Sequence, residues 1–131
     1  MHYSEADWQP YRTVLDEVYA TIWSLRGGRP VVLRAVGLPD PAPHSAEESG
    51  IGDECRAALE ALNDTLEAAA IAAGATFVPS YDLFNGPNHD QHPRDRGWIG
   101  IDGIHLSAEG QAAYAEGLAD AGFAMNAWLM N

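Results

Sequence analysis

The apolar positions of this chain alternate between two periods. From Trp8 to Arg26 they fall at helical spacing, with Tyr11, Val14, Leu15, Val18, Ile22 and Leu25 on one stripe. Asp7 is a suitable cap, Pro10 is tolerated in a first turn, and Gly27-Gly28 ends the run. Trp8, Tyr11, Tyr19 and Trp23 on this helix are expected to pack in the core and against a sheet. Pro30 to Val36 reads as a strand, because Val31, Val32, Leu33 and Val36 give the nearly continuous apolar run of a strand covered on both faces. Arg34 interrupts that run, either in a buried ion pair or at an exposed edge. Gly37–Gly52 lacks periodicity and is rich in Pro, Gly, Ser and Glu, so it reads as a long loop.

The period then returns to helical. Asp53–Ala73 predicts an amphipathic helix, capped by Asp53 and closed by Gly74, with Cys55, Leu59, Leu62, Leu66, Ala69, Ala70 and Ala73 on its apolar stripe. Its acidic residues form a solvated face. Ala75–Phe84 predicts a second strand that ends or kinks at Pro79, which removes a ladder donor. Asn85–Ile101 is a second irregular stretch. Ser107 then caps a helix running to about Gly122, with Glu109 in its first turn. Alternating helices and strands imply an α/β fold with a parallel sheet. Its catalytic groups are expected beyond the carboxyl ends of the strands.

Charge and composition narrow the partners. The chain has 131 residues, enough for one domain (residues 1–131), and carries 19 acids against 7 arginines for a net charge of −12. That balance argues against nucleic acid or an anionic membrane as a partner. Cys55 is the single cysteine, so no internal disulfide forms, and its place on the helical stripe predicts a buried, inert thiol. No apolar run is long enough to span a bilayer, and the first residues lack a signal pattern, which suggests a cytoplasmic protein.

The chemistry concentrates at Asp102-Gly103-Ile104-His105-Leu106-Ser107-Ala108-Glu109-Gly110. An acid three residues before a histidine, on a loop entering a helix, suits proton transfer. The imidazole moves the proton, and the carboxylate fixes its tautomer and stabilises its charged form. Elsewhere, His89, Asp90, His92 and Asp95 are candidate metal ligands. Their crowding in one polar loop favours a surface loop or substrate-side lid, so no metal or other cofactor is expected. Trp98 either walls the active site or anchors this loop. His44-Ser45 are chain neighbours, a poor geometry for a base and its nucleophile.

The Asp-Gly-Ile-His-Leu-Ser-Ala-Glu-Gly stretch resembles the last conserved block of the SGNH (GDSL-type) esterases and lipases. The resemblance covers the C-terminal portion of that family's domain, and it implies a partial flavodoxin-like three-layer fold with helices on both faces of parallel strands. It also implies that His105 is the general base and Asp102 its orienter, acting on a small-molecule ester with a short acyl or aryl group. The family's Gly-Asp-Ser nucleophile block and Gly-x-Asn-Asp block are not found in this sequence, and Asn63-Asp64 falls inside a helix. The attacking oxygen would then come from a recruited serine, a partner's serine, or a water. Of six serines, Ser80, Ser45 and Ser49 are the plausible recruits, whereas Ser4 has no such placement, Ser24 lies in a helix and Ser107 is a cap. Two strands leave backbone groups and an apolar face uncovered. A homo-oligomer or a complementing N-terminal half is expected to cover them. The alternative is a catalytically inactive fragment that serves as an assembly or binding module.

Overall fold

The computed structural model describes residues 5–127. The chain runs α1 (Glu5–Arg26), β1 (Arg34–Val36), α2 (Pro43–Glu48), α3 (Gly52–Ala72), β2 (Thr76–Val78), α4 (Ser80–Asn85), a 3₁₀ turn (Pro93–Arg96) and α5 (Ala108–Asp120). β1 and β2 pair in parallel, with Arg34 opposite Thr76 and Val36 opposite Val78. The connection from β1 to β2 contains α2 and α3, as a parallel pair requires. Helices lie on both faces. On one, Asn63 of α3 and Phe77 of β2 crowd the Cα of Gly37. On the other, α5 approaches closely enough that a Cβ on Gly117 would stand 3.8 Å from Val78 Cγ1. This is the expected α/β class with a small parallel sheet.

Both strands are shorter than the sequence predicts, for different reasons. The β1 chain is already extended at Val31, but there it pairs with the C-terminal segment: Val31 N–H donates to Asn126 O (3.1 Å) and Asn126 N–H donates back (2.7 Å). Among the described residues Arg34 makes no ion pair. Its guanidinium donates to the carbonyls of Gly122 (2.6 Å) and Ala124 (3.1 Å) and to Asn126 Oδ1 (2.7 Å). A cation there also complements the carboxyl end of α5. β2 stops before Pro79, and residues expected to continue the strand, Ser80–Phe84, wind into α4. Pro79 cannot extend the ladder, and the chain turns to bury Tyr81 and Phe84 on one side.

Four further expectations are corrected. The 37–52 loop contains the short helix α2, opened by Pro43 at a position that lacks a helical donor anyway. Asp53 and Asp7 lie in first turns rather than at caps, because α3 and α1 begin earlier, at Gly52 and Glu5. α1 packs mainly on α3. Trp23 is buried and its Nε1–H donates to Ala73 O at 2.8 Å, where Ala69, Ala70 and Ala73 give α3 a small-residue face that α1 approaches closely. That rotation leaves Tyr11, Val14, Val18 and Leu25 exposed, although they head the predicted core stripe. Cys55 is half-buried, since the first turns of α3 face an apolar cavity of 560 Å³ beside Trp8, Pro39, Pro41 and Leu59.

Candidate active site

Backbone pairing shapes the Asp102–His105 loop. Ile99 and Leu106 form an antiparallel bridge, and Gly100 N–H donates to His105 O at 2.7 Å. The chain reverses between them through a turn closed by Gly103 N–H to Gly100 O (3.0 Å), with Gly103 at φ 76°, where a side chain would be strained. Ser107 ends the loop by locking it to α5. Its Oγ accepts from Gly110 N–H (3.0 Å) and donates to Gly97 O (2.6 Å), while its own N–H donates to Trp98 O (2.9 Å). Ser107 is therefore the cap that the sequence predicts, and its hydroxyl is fully engaged in holding the loop.

Asp102 is held at both oxygens. Oδ1 accepts from the backbone N–H of Ile104 and of His105, each at 3.0 Å. Oδ2 lies 2.6 Å from His105 Nδ1. The Ile104 N–H, the His105 ring and the His105 N–H together hold the carboxyl down at about 2. Asp102 is thus an anion at all ordinary pH values and has no proton to give. Nδ1 must be the donor, which leaves the lone pair of the neutral ring on Nε2. The His105 side chain is 85% exposed. A groove of 410 Å³ runs along the Asp102 side of the loop, lined by Pro41, Pro43, His44, Ser45, Ile101 and Ile104 among others.

The structure places the other candidates apart. Ser80 is buried at the start of α4, with its Oγ 3.4 Å from Val78 O. Ser49 donates to Ser45 O within α2, and Ser45 lines the groove with Asp102. Ser4 lies outside the described residues. Among the described residues, no serine hydroxyl bonds to His105. Trp98 is an anchor: it packs edge-on against buried Phe84 (5.1 Å) with Arg96 over its other side (4.6 Å).

The histidine-rich loop divides. His89 adopts φ 55° and stacks on Tyr81 at 3.8 Å, with Nδ1 3.0 Å from Glu60 and Nε2 2.7 Å from Asp82. Burial pulls its pKa down, but the hydrogen bonds and charges of the two carboxylates outweigh that, so the net shift is upward. Burial, then the charges of Asp40 and Glu60, push the Tyr81 hydroxyl up to about 12. A histidine whose folded pKa is raised stabilises the fold fully below its unfolded value, near 6.5. That contribution is lost as pH rises through the folded value. Chemical denaturation between pH 6 and 8.5 should therefore show stability falling with pH, and His89→Gln should flatten that slope. An equal slope in both proteins would contradict the assignment.

Two buried asparagines, to which the sequence assigns no structural role, position the loop after β1. Asn63 Oδ1 accepts from Leu38 N–H (2.8 Å) and its Nδ2 donates to Leu38 O (2.9 Å). Asn85 does the same for Asp40, accepting its N–H (2.9 Å) and donating to its O (3.0 Å). Each side-chain amide mimics a neighbouring strand, and together they fix the chain at Leu38 and Asp40, just before the groove-lining Pro41.

A parallel α/β domain with an acid-held imidazole on the loop entering its last helix has the architecture of a hydrolase. The chain belongs to the GDSL-like lipase/acylhydrolase family, whose model matches residues 3–118. No curated protein and no solved structure matches it.

Proposed function

We propose that the chain hydrolyses short-chain carboxylic esters, with His105 as general base and Asp102 as its orienter. One observation carries this reading: the 2.6 Å contact that fixes the proton on Nδ1 and leaves Nε2 basic and accessible. In the proposed reaction Nε2 takes the proton of the attacking oxygen as that oxygen adds to the ester carbonyl carbon. The carbonyl electron pair moves to oxygen, then returns and expels the alcohol, which takes its proton from the imidazolium. The attacking oxygen is a water or a hydroxyl brought by a second polypeptide. In the second route an acyl-enzyme forms and water later releases the acid. The groove is within the ordinary range for small-ligand sites, and exposed Ile101 and Ile104 offer apolar contact to a short acyl group.

The test is a ladder of aryl esters of increasing acyl length, assayed with the purified chain. Acetyl and butyryl esters should turn over fastest. A rate equal to buffer on every rung would sink the proposal, and a preference for long chains would sink its substrate class.

A second reading has its own support. Val14, Val18 and Leu25 of α1 are exposed on one side of the helix. In that reading the chain assembles with a second copy or a complementing segment, and a monomeric sedimentation profile at micromolar concentration would contradict self-assembly.

A further inference from the structure

Three metal-ligating side chains from two distant segments meet beside the groove. His44 and Glu47 stand three residues apart on α2 and so share one face of it. His92 comes from the loop after α4, and the proline that follows favours the extended backbone (φ −106°, ψ 112°) seen there. One donor atom from each residue lies within 4.8 Å of the others. Glu47 reaches the edges of both rings, Oε2 3.8 Å from His44 Nδ1 and Oε1 3.7 Å from His92 Nε2. The two imidazoles stack with centroids 3.6 Å apart. Asp95 adds a carboxylate 3.7 Å from His44 Nε2.

Hydrogen bonding does not account for this convergence. Separations of 3.7–3.8 Å are beyond hydrogen-bond range, and the buried Nδ1 of His92 has no partner. The donors gather within 4.8 Å, somewhat wider than around one ion, and the stacked rings would turn to point at it. Ligands at about 2.0–2.2 Å from a tetrahedral zinc lie about 3.4 Å from each other. The pocket also has room built in for its carboxylate. A Cβ on Gly52 would stand 3.1 Å from Glu47 Cγ, so glycine at the start of α3 lets the Glu47 stem lie flat.

We propose that His44, Glu47 and His92 bind one divalent transition-metal ion of the zinc type, with water completing the set. Two imidazoles and a carboxylate are a zinc donor set with an open position. The net charge of −12 attracts any cation, but imidazole nitrogens select against magnesium and calcium. The ion would tie α2 to the 92–95 segment. His44 lines the same groove as Asp102, so the tie would also stiffen that groove. This site is independent of the proposed ester hydrolysis.

The test titrates chelator-stripped protein with zinc chloride by calorimetry and with cobalt(II) by visible absorption. One saturable equivalent is expected, with the visible bands of a low-coordinate nitrogen- and oxygen-bound cobalt ion. His44→Ala and Glu47→Gln change exposed side chains on α2, and each should weaken binding by about tenfold to a hundredfold. His105→Ala should leave the affinity unchanged, and excess magnesium should not displace the ion. No saturable binding, parent-like affinity in both α2 variants, or displacement by magnesium would overturn the proposal.

Discussion

Asp102→Asn is expected to be as damaging to ester turnover as removal of the imidazole, a fall of about 10²–10⁴-fold in kcat. The reason is the use of both carboxylate oxygens. Oδ1 accepts two backbone N–H groups, so an asparagine must keep its single oxygen there. Its NH₂ would then face His105 Nδ1, where it can only donate. The ring would answer with its other tautomer, carrying the proton on Nε2 and losing its base. Loop geometry should survive, because the two backbone bonds are preserved. Initial rates on an aryl acetate, with circular dichroism to confirm folding, check this. An unchanged rate in Asp102→Asn would contradict the orienting role.

Gly110→Ala should destabilise the protein by about 1–3 kcal/mol and impair turnover with it. In an ordinary helix the same change stabilises by about 1 kcal/mol. Here a Cβ would overlap the Trp98 carbonyl oxygen and stand 2.9 Å from its carbon. Those are backbone atoms and cannot swing aside. The same carbonyl accepts Ser107 N–H, and the chain between Trp98 and Ser107 carries Asp102 and His105. Relief of the clash must therefore move the loop that holds the pair. Gly117→Ala on the same helix is the control: its Cβ would meet Leu83 Cδ2, the far end of a flexible side chain. Thermal unfolding should show a clear drop in Tm for Gly110→Ala and little change for Gly117→Ala. Equal Tm values for the two would contradict the account.

The sequence was most legible where the signal is local. The amphipathic run of α3, the Ser107 cap and the break at Pro79 depend on neighbours within one or two turns, and each appears where periodicity and capping place it. Legibility failed where a distant segment decides. Nothing near Arg34 indicates that its guanidinium will reach the carbonyls of Gly122 and Ala124 some ninety positions later. The exposed face of α1 could not be read from its period, because the stripe of Val14 and Val18 and the line of Tyr19 and Trp23 are both helical. Only the small-residue face of α3 selects between them. Asn63 and Asn85 look like ordinary polar residues, yet both are buried and clamp the loop after β1. Only Asn63 has a local signal, an asparagine at a position that helix periodicity turns inward, whereas Asn85 opens a stretch with no periodicity. The histidines show the same limit. His89 and His92 are close in sequence but face different partners, and His44 joins His92 only through the fold.

Sheet size bears on how the site is completed. Among the described residues the sheet has two strands, and α1 shows an apolar side to solvent. No helix of the described chain is long and apolar enough to cross a membrane. His105 likewise projects outward, 85% exposed. An imidazole held firmly on one side and open on the other suits a nucleophile that arrives from outside the loop, whether water or a second chain. Labelling with a fluorophosphonate, which reacts with activated serines, separates these routes.

The most direct test of the central claim is steady-state hydrolysis of an aryl acetate by the purified chain beside His105→Ala. The Asp102–His105 pair predicts saturable turnover in the parent and a rate indistinguishable from buffer in the variant. Equal rates in the two proteins would contradict it.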